Sequence, residues 1–142
     1  MRIELVSELG ARLPGDGGPL EFGGTEAEVR RRLESPVGPA QTSFAYGVSW
    51  GWRARIGDRW VEASSGGDGL LGEIRVARAM IEDRAAGIPV VYRGIDVFEH
   101  PMAEIEFLLG AGDGIRDLRL TGVSGHALSV TLLDLSRPQA RG

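Results

Sequence analysis

The chain has 142 residues, 20 acidic and 16 basic side chains, a formal net charge of −4, 22 Gly and no Cys, and every basic residue is Arg. That size and composition fit a single globular domain over 1–142, which removes roughly 68% of its unfolded surface from water without metal or disulfide staples. Without Cys or Lys there is no thiol nucleophile, cysteine metal site, disulfide, Schiff-base lysine or P-loop lysine, and the negative balance opposes the basic footprint of a nucleic-acid partner.

Residues 1–10 alternate charged and apolar side chains, with Ile3 and Leu5 in a short strand. They lack the apolar run of a signal peptide or membrane span, so a cytoplasmic protein with no membrane partner is expected. Residues 10–24 are rich in Gly and Pro and read as a loop with at most the extended piece Leu20-Glu21-Phe22. Thr25-Glu26-Ala27-Glu28 has the S/T-x-x-E spacing of a capping box, so a helix should start here, carry Val29 and Leu33 inward and end before Pro36. Glu26 and Glu28 precede Arg30 and Arg32 by four residues, the favourable order for helical ion pairs worth ~0.2–0.5 kcal/mol each. The Arg30-Arg31-Arg32 run therefore reads as a solvated helix face.

From Phe44 to Ile56 the even positions are Phe44, Tyr46, Val48, Trp50, Trp52, Ala54 and Ile56, and the odd ones are small or basic, which is unbroken period-two alternation. Gly57-Asp58 can close a two-residue hairpin loop, setting Ile56 opposite Arg59. That register puts Val61 and Ala63 on the face of Ala54 and Trp52. On the other face it sets Glu62 opposite Arg53 and Trp60 opposite Arg55. A one-residue slip would mix the two faces.

Gly66-Gly67-Asp68-Gly69 lacks a following Lys-Ser/Thr and reads as a turn, not a phosphate cradle. A strand over 70–76 is expected to run into a helix over 77–86, ended by Gly87. Ile88 to Tyr92 is β-rich, with Pro89 confined to a strand entry or edge. Pro101 to Leu109 reads as a helix with Pro at its first turn. Leu118, Leu120, Leu128, Val130 and Leu132 share one face of a second hairpin if Val123-Ser124-Gly125 forms its loop.

Shifting the sequence by 76 residues aligns Phe22 with Phe98, Ala27 with Ala103, Glu28 with Glu104, Val29 with Ile105 and Leu33 with Leu109, which suggests pseudo-repeats over 1–76 and 77–142. The first copy, Gly24-Thr25-Glu26-Ala27-Glu28-Val29-Arg30-Arg31-Arg32-Leu33 with Pro36 after it, resembles the G-x-T-x-x-E/Q-V-x-x-x-L-G-x-P signature of BamE-like outer-membrane assembly lipoproteins and tandem-repeat β-lactamase inhibitory proteins. Glu34 stands where that signature has Gly, and the second copy lacks Gly-Thr. The resemblance implies helices packed on one face of an antiparallel sheet whose other face binds a protein. Together these readings give an expected α+β fold, with two or three helices on one face of an antiparallel sheet.

The expected function is a non-catalytic protein-interaction module of inhibitor or immunity type, binding a protein partner or a second copy through a sheet face, with no cofactor. Its candidate contact residues are Trp60, Arg53, Arg55 and Glu62, because Trp and Arg dominate binding hot spots and this indole sits on an otherwise polar face. The aromatic face of Phe44, Tyr46, Trp50 and Trp52 is expected to be core, although the resemblance would also allow a binding face. The alternative is a small metal- or ligand-dependent enzyme using Asp96, Glu99, His100 and Glu104, which gather metal-ligand types within a short span. Glu99 and His100 also fall where a helix cap would use them. Gly122-Val123-Ser124-Gly125-His126 nearly matches G-x-S-x-G, but it sits between strands and a nucleophile elbow needs a helix after the turn.

Overall fold

The computed structural model describes residues 2–15, 18–37, 40–78, 87–109, 116–123 and 125–136. Along the chain these form β1 (Ile3–Val6), β2 (Gly10–Arg12), β3 (Leu20–Glu21), α1 (Glu26–Val37), β4 (Gln41–Tyr46), β5 (Ser49–Ile56), β6 (Arg59–Ser65), β7 (Leu71–Arg78), β8 (Val90–Tyr92), β9 (Ile95–Asp96), α2 (Met102–Leu108), β10 (Leu118–Val123) and β11 (His126–Leu133). One sheet has the order β3-β2-β1-β8-β9 and the other β10-β11-β7-β6-β5-β4. The six-stranded sheet is antiparallel throughout, whereas β1 and β8 run parallel in the smaller one.

The fold is therefore mostly β, and the expectation of an α+β fold with two or three helices covering one face is corrected. Helix α1 lies mainly over β5, and α2 is seven residues long and buries Ile105. The smaller sheet also buries its apolar side chains in the core of the larger one: Ile3, Leu5, Val90 and Tyr92 join Val61, Ile74 and Val130 in one cluster. The sequence disguises this layer because its strands are two to four residues long, too short to display a period. Strand β2 lies inside the stretch read as a loop.

Helix α1 opens on the expected capping box. The Glu28 N–H donates to Thr25 Oγ1 and the Thr25 N–H to the Glu28 carboxylate, both at 3.3 Å, and Val29 and Leu33 are buried. The helix continues through Pro36 to Val37 where an end before Pro36 was expected. A proline in the last turn forfeits one bond, to the carbonyl four residues back, and the helix end tolerates that loss. The ion pairing also differs. Arg30 pairs with Glu34 at 3.0 Å, because Glu28 is held by the cap and Glu26 accepts the Trp52 indole N–H at 2.9 Å.

The hairpin of β5 and β6 has the expected register, with Trp52 opposite Ala63, Arg53 opposite Glu62, Arg55 opposite Trp60 and Ile56 opposite Arg59. Gly57 supplies the φ of +61° that the first position of a type II′ turn needs. The alternating run is not one strand, however. Gly47, with φ +60°, and Val48 make a second two-residue turn, so Tyr46 pairs with Ser49 and β4 folds back beside β5. Across such a turn odd and even positions exchange faces. Trp50 and Trp52 point inward, and Phe44 and Tyr46 leave the expected core.

Strand β7 extends to Arg78, so residues 77 and 78 are strand where a helix was expected; the remainder of that expected helix lies outside the described residues. In the second hairpin Val123 pairs with His126, so Val123 is strand where a loop residue was expected. A bulge lies between Thr121 and Gly122; it buries Ala127 completely and leaves Leu128 half-buried.

Candidate functional site

The pairing of the six-stranded sheet places its outward side chains in rows. One row runs Gln41, Arg53, Glu62, Arg75, Thr131 and Arg119, and the next runs Arg55, Trp60, Ala77, Ser129 and Thr121. All four predicted contact residues thus share one face. Arg53 and Arg55 are exposed, and Trp60 and Glu62 are half-buried.

The Arg53 guanidinium lies 4.8 Å from the Trp60 ring centroid. Trp60 belongs to neither the hydrophobic core nor the residues packed against it, so its indole is covered from the polar side. The Arg55 Nε–H donates to the Gly57 carbonyl at 3.0 Å, holding that side chain at the hairpin end. Ser43 donates to the Glu62 carboxylate at 2.8 Å and ties β4 to the patch. Burial pushes the Glu73 carboxyl pKa up, with Arg119 opposing that rise and Glu62 adding to it. The face carries four arginines (Arg53, Arg55, Arg75, Arg119) against two glutamates (Glu62, Glu73), so its sign is opposite to the chain's net −4.

The aromatic run divides between the two faces. Trp50 is buried, donating its indole N–H to the Gly69 carbonyl at 2.8 Å. Trp52 packs at the core edge under Arg30, whose guanidinium lies 4.7 Å from its ring. Phe44 and Tyr46 stack on the outward side with centroids 6.0 Å apart. Gly51 is needed beneath them, since a Cβ there would come within 2.5 Å of the Phe44 ring.

The carboxylate and histidine cluster does not assemble. Among the described residues no three His, Asp or Glu side chains could hold one metal ion. His100 Nδ1 lies 3.2 Å from Glu104 one helical turn on. Asp96 accepts the Phe98 backbone N–H at 3.1 Å and thereby shapes the turn entering α2. The N-cap of α2 is Pro101, without a side-chain capping bond, so neither Glu99 nor His100 caps it. The Gly66–Gly69 stretch is a turn, closed by the Gly69 N–H on the Gly66 carbonyl at 3.2 Å. The G-x-S-x-G near-match spans a hairpin end, and its Ser124 lies outside the described residues.

Two further polar groupings were not legible in the sequence. A cleft of about 480 Å³ opens beside Ser7, Arg93, Asp117 and Asp134. On its wall the buried Tyr92 hydroxyl donates to Asp117 at 2.8 Å, leaving Ser7 to donate to Tyr92 at 2.9 Å. Burial raises the Tyr92 pKa; Ser7 opposes that rise and the bond to Asp117 adds to it. Asp134 accepts both the Ser136 N–H and hydroxyl. The Ser7–Tyr92–Asp117 chain ties β1 and β8 of the smaller sheet to the residue before β10 of the larger one. At the far end Arg59 and Arg78 flank Phe98 at 4.5 and 4.7 Å from its ring, and Arg59 donates to the Ile88 carbonyl at 3.0 Å. Partners 85 residues apart, such as Ser7 and Tyr92, leave no local signal.

None of the helices among the described residues is long and apolar enough to cross a membrane. No protein-family model matches the chain, and no characterised protein or solved structure was found to be similar to it.

Proposed function

We propose that this chain is a non-catalytic protein-interaction module that docks a partner on the outward face of its six-stranded sheet. The observation that carries the reading is the Arg53–Trp60 stack at 4.8 Å, set in a face whose arginines outnumber its acids on an otherwise acidic chain. An indole outside the core, rimmed by guanidiniums, supplies the apolar anchor and the directed charge from which binding hot spots are built. The excess of Arg selects a partner surface rich in carboxylates, and it steers association in a salt-dependent way.

The test uses immobilised wild-type chain and three variants against lysate of the source cells. Wild type should capture a protein in stoichiometric amount. Trp60→Ala and Arg53→Glu should lose it, and Arg31→Glu, on the exposed side of α1, should retain it. A captured protein indifferent to Trp60→Ala and Arg53→Glu, or no captured protein at all, overturns the reading.

A further inference from the structure

Among the described residues four strands form the edges of the two sheets: β3, β9, β10 and β4. An edge strand offers unpaired N–H and C=O groups to any passing strand, and proteins blunt it with shortness, charge, proline or a bulge. Strands β3 and β9 are two residues long and each carries an acid, Glu21 and Asp96. Strand β10 carries Arg119 and a bulge. Strand β4, Gln41-Thr42-Ser43-Phe44-Ala45-Tyr46, is six residues long with no charge and no proline, and its one irregularity falls before Phe44. Among the described residues β4 pairs with β5 alone.

The direction of its free groups follows from the turn. In a two-residue hairpin the residues flanking the loop exchange both hydrogen bonds, so Tyr46 bonds Ser49, and the next pair, Ala45 with Trp50, points away from each other. Trp50 agrees, since its N–H donates to Ser65 Oγ on β6 at 2.9 Å. The Ala45 N–H and C=O therefore face outward from the sheet edge.

We infer that β4 is a homodimer interface, in which two copies pair antiparallel about a two-fold axis through Ala45. Around that axis Ala45 of one copy exchanges two hydrogen bonds with Ala45 of the other. Phe44 then lies opposite Tyr46 of the other copy, so each stacked pair extends into a cross-strand aromatic contact. About that axis only Ala45 meets its own kind, where a charge would face its own sign, and Phe44 and Tyr46 meet each other on both sides of it, so the four rings form one self-complementary patch. Among the described edges β4 carries no charge, and a patch that matches itself about a two-fold axis fits a second copy. The dimer also covers Tyr46, which is 75% exposed in the single chain, and joins the two larger sheets into one.

Because the chain has no cysteine, Ala45→Cys introduces its sole thiol. A hydrogen-bonded antiparallel pair holds its Cα atoms about 5.5 Å apart, inside the range that a disulfide spans. Mild oxidation of Ala45→Cys should yield a covalent dimer, whereas Thr121→Cys on the opposite edge should stay monomeric. Sedimentation of wild-type chain at micromolar concentration should give twice the monomer mass of 15.2 kDa. Ala45→Lys should give the monomer mass with unchanged circular dichroism, and a melting temperature that no longer rises with protein concentration as that of the wild type does. A monomeric wild type, or a dimer that survives Ala45→Lys and does not cross-link at position 45, overturns the inference. The protein-docking face is scored separately, since Trp60→Ala should leave the dimer intact.

Discussion

Glu73 illustrates how one side chain on a nominally polar face can be held under strain. Its carboxyl pKa is raised, chiefly by burial and against the pull of Arg119, so the folded state binds its proton more tightly than the unfolded chain does. A carboxyl shifted in that direction contributes its full stability below the unfolded-state pKa and loses it as the pH rises through the folded-state value. At neutral pH the charge is a liability. Glu73→Gln should therefore raise the melting temperature at pH 7, and the gain should shrink toward zero below about pH 4, where both states are protonated. Melting curves of the two proteins across that range check it. A gain that is constant with pH would remove burial of the charge as its cause. Trp60 and Arg53 show the complementary case. Their partnership follows from the strand register alone, because the two residues sit diagonally across β5 and β6 on one face.

At the scale of elements, short-range chemistry was legible wherever a turn or cap needs particular residues. The Gly57-Asp58 loop and the register it sets were readable because only one pairing keeps Trp52, Ala54, Val61 and Ala63 together. The α1 cap was readable because Thr25 and Glu28 must stand three apart to bond each other's N–H. Thr25→Ala should cost about 1 kcal/mol, seen as an earlier midpoint in urea with an unchanged slope; no shift in midpoint would show that this exposed cap is frayed in solution. The β4–β5 turn was not legible. Gly47-Val48 keeps the alternation intact in the sequence while exchanging the faces in space, so one long strand and a tight hairpin share the same pattern. Strand β7 was cut short for a related reason, since Ala77 and Arg78 suit a helix as well as the strand that β6 and β11 impose on them.

For the whole molecule, the two sheets share one core, and removal of a buried side chain from either should be felt by both. Leu5 lies in the smaller sheet and is 1% exposed. Leu5→Ala should cost about 2–5 kcal/mol and lower a single melting transition seen alike by tryptophan fluorescence, which reports the larger sheet, and by far-ultraviolet circular dichroism. Two separated transitions would mean that the sheets unfold independently. The cross-links that support one transition join distant parts of the chain. Arg59 reaches the Ile88 carbonyl, the Ile88 N–H reaches Asp58 at 3.1 Å, and Tyr92 reaches Asp117.

The order of residues by itself determined the long hairpin, the turn at Gly57, the capped start of α1 and the common face of Arg53, Arg55, Trp60 and Glu62, because each depends on neighbours a few positions apart or on a period of two. The tertiary structure alone decided that a second sheet joins α1 and α2 in closing the core. It alone split the aromatic run between the two faces and left β4 as a neutral edge. Those outcomes depend on β1 meeting β8 and on β7 meeting β11 across long separations, where contact is won by the collective burial of apolar surface and no local pattern records the choice.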